Sequence, residues 1–149
     1  MDRASDARAL MSARRTNCAQ AVLAVYCEQF GIERRLALKL AQGFGGGMGH
    51  MGGICGAVTG AYMVLGLAQK VWDDNNPRQG LDRTYELVRE FTERFKALHG
   101  TVICKELIGY DLSTPEGLSQ ARNKGIFTTI CADLVSDSVK ILEIMIQKV

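Results

Sequence analysis

Apolar residues along this chain recur at helical spacing, and nowhere do they alternate with polar ones for long enough to suggest a strand. Asn17 is a good helix cap, and Cys18 to Phe30 behind it is apolar on both faces up to Gly31, which predicts a buried helix closed by glycine. Glu33 to Gln42 predicts a second helix, closed by Gly43. Between Gly43 and Gly53, seven of eleven residues are glycine, so a loop is expected whose backbone enters conformations closed to other residues. Ile54 to Lys70 predicts the next helix. Its Gly56, Ala57 and Gly60 form a small-residue face that another backbone can approach, in the same subunit or in a second copy.

The run Asp73-Asp74-Asn75-Asn76-Pro77 ends that helix in a turn. Leu81, Tyr85, Val88, Phe91, Phe95 and Leu98 then mark an amphipathic helix that closes at Gly100. A short helix is expected from about Thr101 to Ile108 before Gly109, another from Thr114-Pro115-Glu116, and a long last one from Phe127 to Ile146. The prediction is an all-α protein of about six helices, with the glycine-rich loop between the second and third core helices. Residues 1–15 are expected to add a peripheral N-terminal helix.

Length and composition narrow this picture. At 149 residues, 47% hydrophobic and 23% charged, the chain suits one folded domain over residues 1–149 and is neither disordered nor long enough for two. The net charge is +2 and no Lys/Arg run exceeds a pair, so no nucleic-acid partner is expected. The pairs Arg14-Arg15 and Arg34-Arg35 read as part of a solvated face. The opening MDRASDARALMSARR lacks the continuous apolar core of a secretory signal, so a cytoplasmic location is expected. Ile54 to Ala68 carries no charge, but fifteen residues do not span a hydrocarbon core of about 30 Å, so no membrane span is expected.

Cytoplasmic thiols stay reduced, so the five cysteines are not read as a disulfide framework. Cys18, Cys55, Cys104 and Cys131 all fall toward predicted helix N-termini, where unpaired N–H groups and the helix dipole favour negative charge and lower a thiol's pKa. Such thiolates act as nucleophiles or as ligands of a metal or an iron-sulfur cluster. Cys27 lies about half a turn round its helix from Cys18 and near the C-terminal end, which assigns it to packing with Leu23 and Phe30. The gaps of 36, 48 and 26 residues between the four match no paired zinc knuckle or ferredoxin run.

A motif at the centre is more specific: Cys55-Gly56-Ala57-Val58-Thr59-Gly60, preceded by the glycine loop. With Asn17-Cys18-Ala19-Gln20-Ala21-Val22, Gly43-Phe44-Gly45-Gly46-Gly47-Met48-Gly49, Cys104-Lys105-Glu106-Leu107 and Cys131 in the same order, most of the chain resembles the redox-active family named for the cysteine pattern C_GCAxxG_C_C. The resemblance implies a small bacterial or archaeal protein acting in redox chemistry or electron transfer. Its four characteristic cysteines correspond to Cys18, Cys55, Cys104 and Cys131, and Cys27 has no counterpart.

Other signals carry less. Gly47-Met48-Gly49-His50-Met51-Gly52 spells a dinucleotide fingerprint, but Leu36 to Gln42 before it is helical where that motif needs a strand. Loop N–H groups from Gly45, Gly46, Gly47 and Gly49 could instead form an anion nest or hydrogen-bond the sulfurs of a cluster. His50 is a candidate metal ligand or proton relay, His99 a helix cap, and Met48, Met51 and Met63 are soft side chains suited to core gaps or metals.

Four functions follow. The first is electron transfer through a 2Fe-2S cluster on the four thiolates, labile enough to be lost on purification. The second is a dithiol/disulfide protein without metal. The third is a helical interaction module with structural zinc, and the fourth is four core cysteines. The redox readings call for a redox partner protein, and a homodimer is open. No nucleophile, base and orienting acid together mark a defined enzyme.

Overall fold

The computed structural model describes residues 2–149. Eight helices succeed one another: α1 (Arg3–Ser12), α2 (Cys18–Ala24), α3 (Arg34–Ala41), α4 (Gly56–Ala68), α5 (Pro77–His99), α6 (Cys104–Ile108), α7 (Pro115–Asn123) and α8 (Ile130–Ile146). Shorter 3₁₀ turns occupy Cys27–Phe30, Gln42–Phe44 and Ile126–Thr128. No strand occurs among the described residues; the one sheet-like contact is an isolated antiparallel bridge between Ile54 and Ile103. The all-α prediction holds. The count of eight exceeds the expected total of about six, although α1, α6 and α7 each fall where the sequence predicts a separate helix.

Boundaries move where local chemistry outweighs periodicity. The first core helix stops at Ala24, and the chain tightens into the 3₁₀ turn that ends at Gly31, whose φ of 79° provides the left-handed exit. The fourth predicted core helix begins at Pro77, four residues ahead of Leu81, because proline suits the first helical position and Asn76 can stand outside it. The last begins at Ile130, after Gly125 (φ 67°) and a 3₁₀ turn have redirected the chain.

The apolar α4 is the centre of the fold and packs against α2, α5 and α8, while α1 lies along α8 with Ala4, Ala7 and Met11 buried. Phe91 and Phe95 fix α5 to the core, with Tyr62 edge-on to Phe91 at 6.1 Å. Ser138, fully buried on α8, donates 2.7 Å to the Ala57 carbonyl of α4. Tyr26 donates 2.6 Å to Glu143, which also pairs with Arg3 at 3.3 Å, so one carboxylate links α1, α8 and the end of α2. His99 closes α5 with its Nε2 3.1 Å from Asp137 Oδ2, without hydrogen-bond alignment. No helix among the described residues is long and apolar enough to cross a membrane.

The small-residue face of α4 is used inside the chain. A Cβ at Gly60 would lie 2.8 Å from the Ala19 carbonyl oxygen and 3.1 Å from Val22 Cβ, so α2 and α4 touch backbone to backbone. Gly56 makes the same approach one turn earlier, 3.0 Å from Ala19 N and from Cys18 Cβ. Gly60→Ala is therefore expected to force the helices apart and cost about 2 kcal/mol. A urea-unfolding midpoint equal to the wild type's would refute that contact.

Candidate functional site

Four separate pieces of local chemistry each deliver one cysteine. Cys18 opens α2, whose start is set by a capping box: the Asn17 side chain accepts from Gln20 N–H at 3.0 Å, and the Gln20 side chain accepts from Asn17 N–H at 3.0 Å. The same two side chains tie this end to the second core helix and the loop, with Asn17 donating to the Gln42 carbonyl and Gln20 to the Leu38 carbonyl, each at 2.9 Å.

Cys55 and Cys104 come together through the isolated bridge. The Cys55 N–H donates to the Val102 carbonyl at 2.8 Å, and the Cys104 N–H donates to the Gly53 carbonyl at 2.6 Å. Two hydrogen bonds thus clamp residues far apart in sequence immediately beside both thiols. Cys55 then caps α4 and Cys104 opens α6. Cys131, the second residue of α8, follows the turn at Gly125.

All four line one cavity of about 510 Å³ and are buried, at 8, 3, 6 and 4% exposure for Cys18, Cys55, Cys104 and Cys131. Gly45, Gly46, Gly47, Gly49, His50 and Gly56 also line it. Gly60 does not; its place is the α2–α4 contact. Neither do Met48, Met51, Met63 or Cys27. Cys27 has no exposure and its thiol turns back to the Ala24 carbonyl at 3.4 Å.

The loop is tightly wound. Gly49, Gly52 and Gly53 donate to the carbonyls of Gly43, Gly46 and Gly47, each six residues back. Gly47 meets the site most closely: it has φ 69°, and a Cβ on it would lie 2.5 Å from Gly53 N and 2.7 Å from Cys104 Cβ. Met48 and His50 hold left-handed backbone without being glycine, at φ 68° and 63°.

The electrostatics differ from the helix-dipole expectation. Burial pushes the Cys55 thiol up to about 12, against the Ala57 N–H at the start of α4, and pushes Cys104 up to about 11, aided by Cys131. Desolvation outweighs the dipole at both. Cys18 and Cys131 are coupled neighbours: the Cys18 thiol holds Cys131 below the usual thiol range, while the same interaction and burial raise Cys18 well above it. Cys131 is thus the readiest thiolate of the set.

A lowered pKa means a larger thiolate fraction at any pH below it. Iodoacetamide should therefore label Cys131 first as pH rises, with Cys104 and Cys55 following only at higher pH. Cys18→Ala removes the stabilising neighbour and should shift Cys131 labelling to higher pH, read by peptide mass spectrometry. Simultaneous labelling of all four would sink this ordering.

The donor set is all sulfur, yet among the described residues no group of three or more His, Cys, Asp or Glu side chains is close enough to hold a single ion. The thiols share a space instead of meeting at a point. The cavity's two arginines, Arg14 and Arg122, both exposed, escaped the sequence reading. Arg14 holds left-handed backbone (φ 56°) just after α1, where glycine or asparagine is usual. That position was the available signal, and nothing in the sequence distinguishes Arg122.

A family model described as "Putative redox-active protein (C_GCAxxG_C_C)" matches residues 16–145. No curated protein and no solved structure matches the chain.

Proposed function

We propose, from the premise that this chain belongs to the C_GCAxxG_C_C family of redox-active proteins, that it is an electron-transfer protein whose Cys18, Cys55, Cys104 and Cys131 hold a 2Fe-2S cluster. The observation that carries this reading is that the four cysteines of the family pattern, drawn from four helix starts, line one cavity while Cys27 does not.

The donor set fits. Four thiolates in two pairs are the ligands such a cluster takes, and its two irons need the thiols spread over a shared space instead of closed on one ion. When bound, the cluster supplies one-electron transfer. The chain's residues do the rest. Buried thiols with raised pKa values keep their protons until a metal displaces them, so loading releases protons and is favoured as pH rises. The Ala57 N–H stands ready for the Cys55 sulfur, and such N–H contacts tune a potential. All four cysteines are nearly buried in the folded chain. An electron donor or acceptor protein is the partner this function requires.

The coupling of the neighbouring Cys18 and Cys131 thiols favours a second reading, a dithiol couple. There the Cys131 thiolate attacks a partner's disulfide and the Cys18 thiol then closes the S–S bond, so that two electrons and one proton pass to the partner, whose disulfide is reduced to one thiol and one thiolate.

Anaerobic purification followed by visible spectroscopy and iron, sulfide and thiol analysis separates the two. A brown protein with equal iron and acid-labile sulfide is the expected result. Colourless protein that takes up neither on reconstitution and reversibly loses two thiols would replace the cluster with the dithiol couple. Stoichiometric zinc alone would overturn both.

A further inference from the structure

The cavity has two chemically different ends. Its floor is the four buried thiols; its outer end carries the exposed side chains of Arg14 and Arg122, and the loop backbone at Gly46 and Gly47 also lines it. We infer that this outer end is an oxyanion-recognition site, in which Arg14 and Arg122 hold the carboxylate, phosphate or sulfonate group of a small molecule whose remainder extends toward the thiols.

Four independent observations support it. No Asp or Glu lines the cavity. Neither Arg14 nor Arg122 forms an ion pair among the described residues, unlike Arg3, Arg8, Arg78, Arg83 and Arg94. The N–H groups of Gly46 and Gly47, two consecutive left-handed residues, donate to no acceptor among the described residues, whereas Met48 through Gly53 all do. And Arg14 keeps a left-handed backbone that glycine would adopt without strain, so the guanidinium stands at the cavity mouth at a conformational cost.

Guanidinium matches an oxyanion with paired, charge-assisted hydrogen bonds, and a backbone N–H pair adds donors that need no charge. A cavity of about 510 Å³ is far larger than such a group alone, which leaves room for the rest of a small molecule above the sulfurs. The assignment concerns the mouth and does not depend on whether the floor holds a cluster or a dithiol.

Isothermal titration of the full chain with sodium sulfate and with sodium acetate, against sodium chloride at matched ionic strength, tests it. Saturable binding of at least one oxyanion is expected, tetrahedral if phosphate-like and planar if carboxylate-like ligands are preferred. Arg14→Gln and Arg122→Gln should each weaken it about tenfold. Arg89→Gln, which removes an exposed, unpaired arginine elsewhere, should leave it unchanged. Arg14→Gly separates recognition from folding, since it should lose the anion while unfolding no earlier than wild type. Absence of saturable binding in the wild type, or equal weakening by Arg89→Gln, would overturn the proposal. The titration reads anion binding whatever the iron content of the sample, so a failure at the mouth is distinguishable from a failure of the cluster.

Discussion

Serine at any one of Cys18, Cys55, Cys104 or Cys131 is expected to cut the iron retained after anaerobic reconstitution by at least about tenfold, while alanine at Cys27 leaves it within about twofold. The contrast rests on location. The four line one cavity, whereas Cys27 is sealed between the end of α2 and its following turn. Serine preserves shape but offers a hard oxygen whose proton is far more tightly held than a thiol's. Cys27→Ala removes one buried sulfur and should cost about 1 kcal/mol of stability, with no consequence for iron. The pattern of losses is itself informative: a dithiol couple would make only Cys18 and Cys131 critical, measured as the loss of reversible thiol oxidation.

Gly47→Ala is expected to cost about 3 kcal/mol, or about 10 °C in melting temperature. Its methyl group would meet Gly53 N and Cys104 Cβ at well under contact distance, on a backbone of φ 69°. Both obstacles are rigid, one being backbone and the other anchored by the bridge beside it. Gly49→Ala provides the comparison: it has φ 58° but open space around it, so only the conformational cost of about 1 kcal/mol remains. Equal melting temperatures for the two variants would show that contact with Cys104 is not what demands glycine at position 47.

Much of this was legible before any coordinates. Helical periodicity gave Phe91 and Phe95 their place in the core, and Asn17 marked the start of α2 to the residue. The GxxxG face of α4 announced a close approach, though only the fold shows that Ala19 is what it meets. Other features were not readable. A run that is apolar on both faces does not reveal where it breaks, so the end of α2 at Ala24 escaped notice. The bridge between Ile54 and Ile103 involves one residue on each side and leaves no alternation to detect. The thiol electrostatics were misjudged because a helix N-terminus is visible in sequence while depth of burial is not, and burial dominates at Cys55 and Cys104. Arg14 looked like surface charge because its left-handed backbone is set by the turn out of α1.

The spacing of the four cysteines along the chain has a mechanical side. Any occupant bonded to both Cys18, near the start, and Cys131, near the end, acts as a staple that closes a loop through nearly the whole fold. Fraying of α2 or of the first turn of α8 would then require release of that occupant, so amide exchange in both segments should slow in step on loading. Losing the occupant would loosen the two ends of the sequence together and turn the cavity's filling state into a signal that a protease or partner could read from outside.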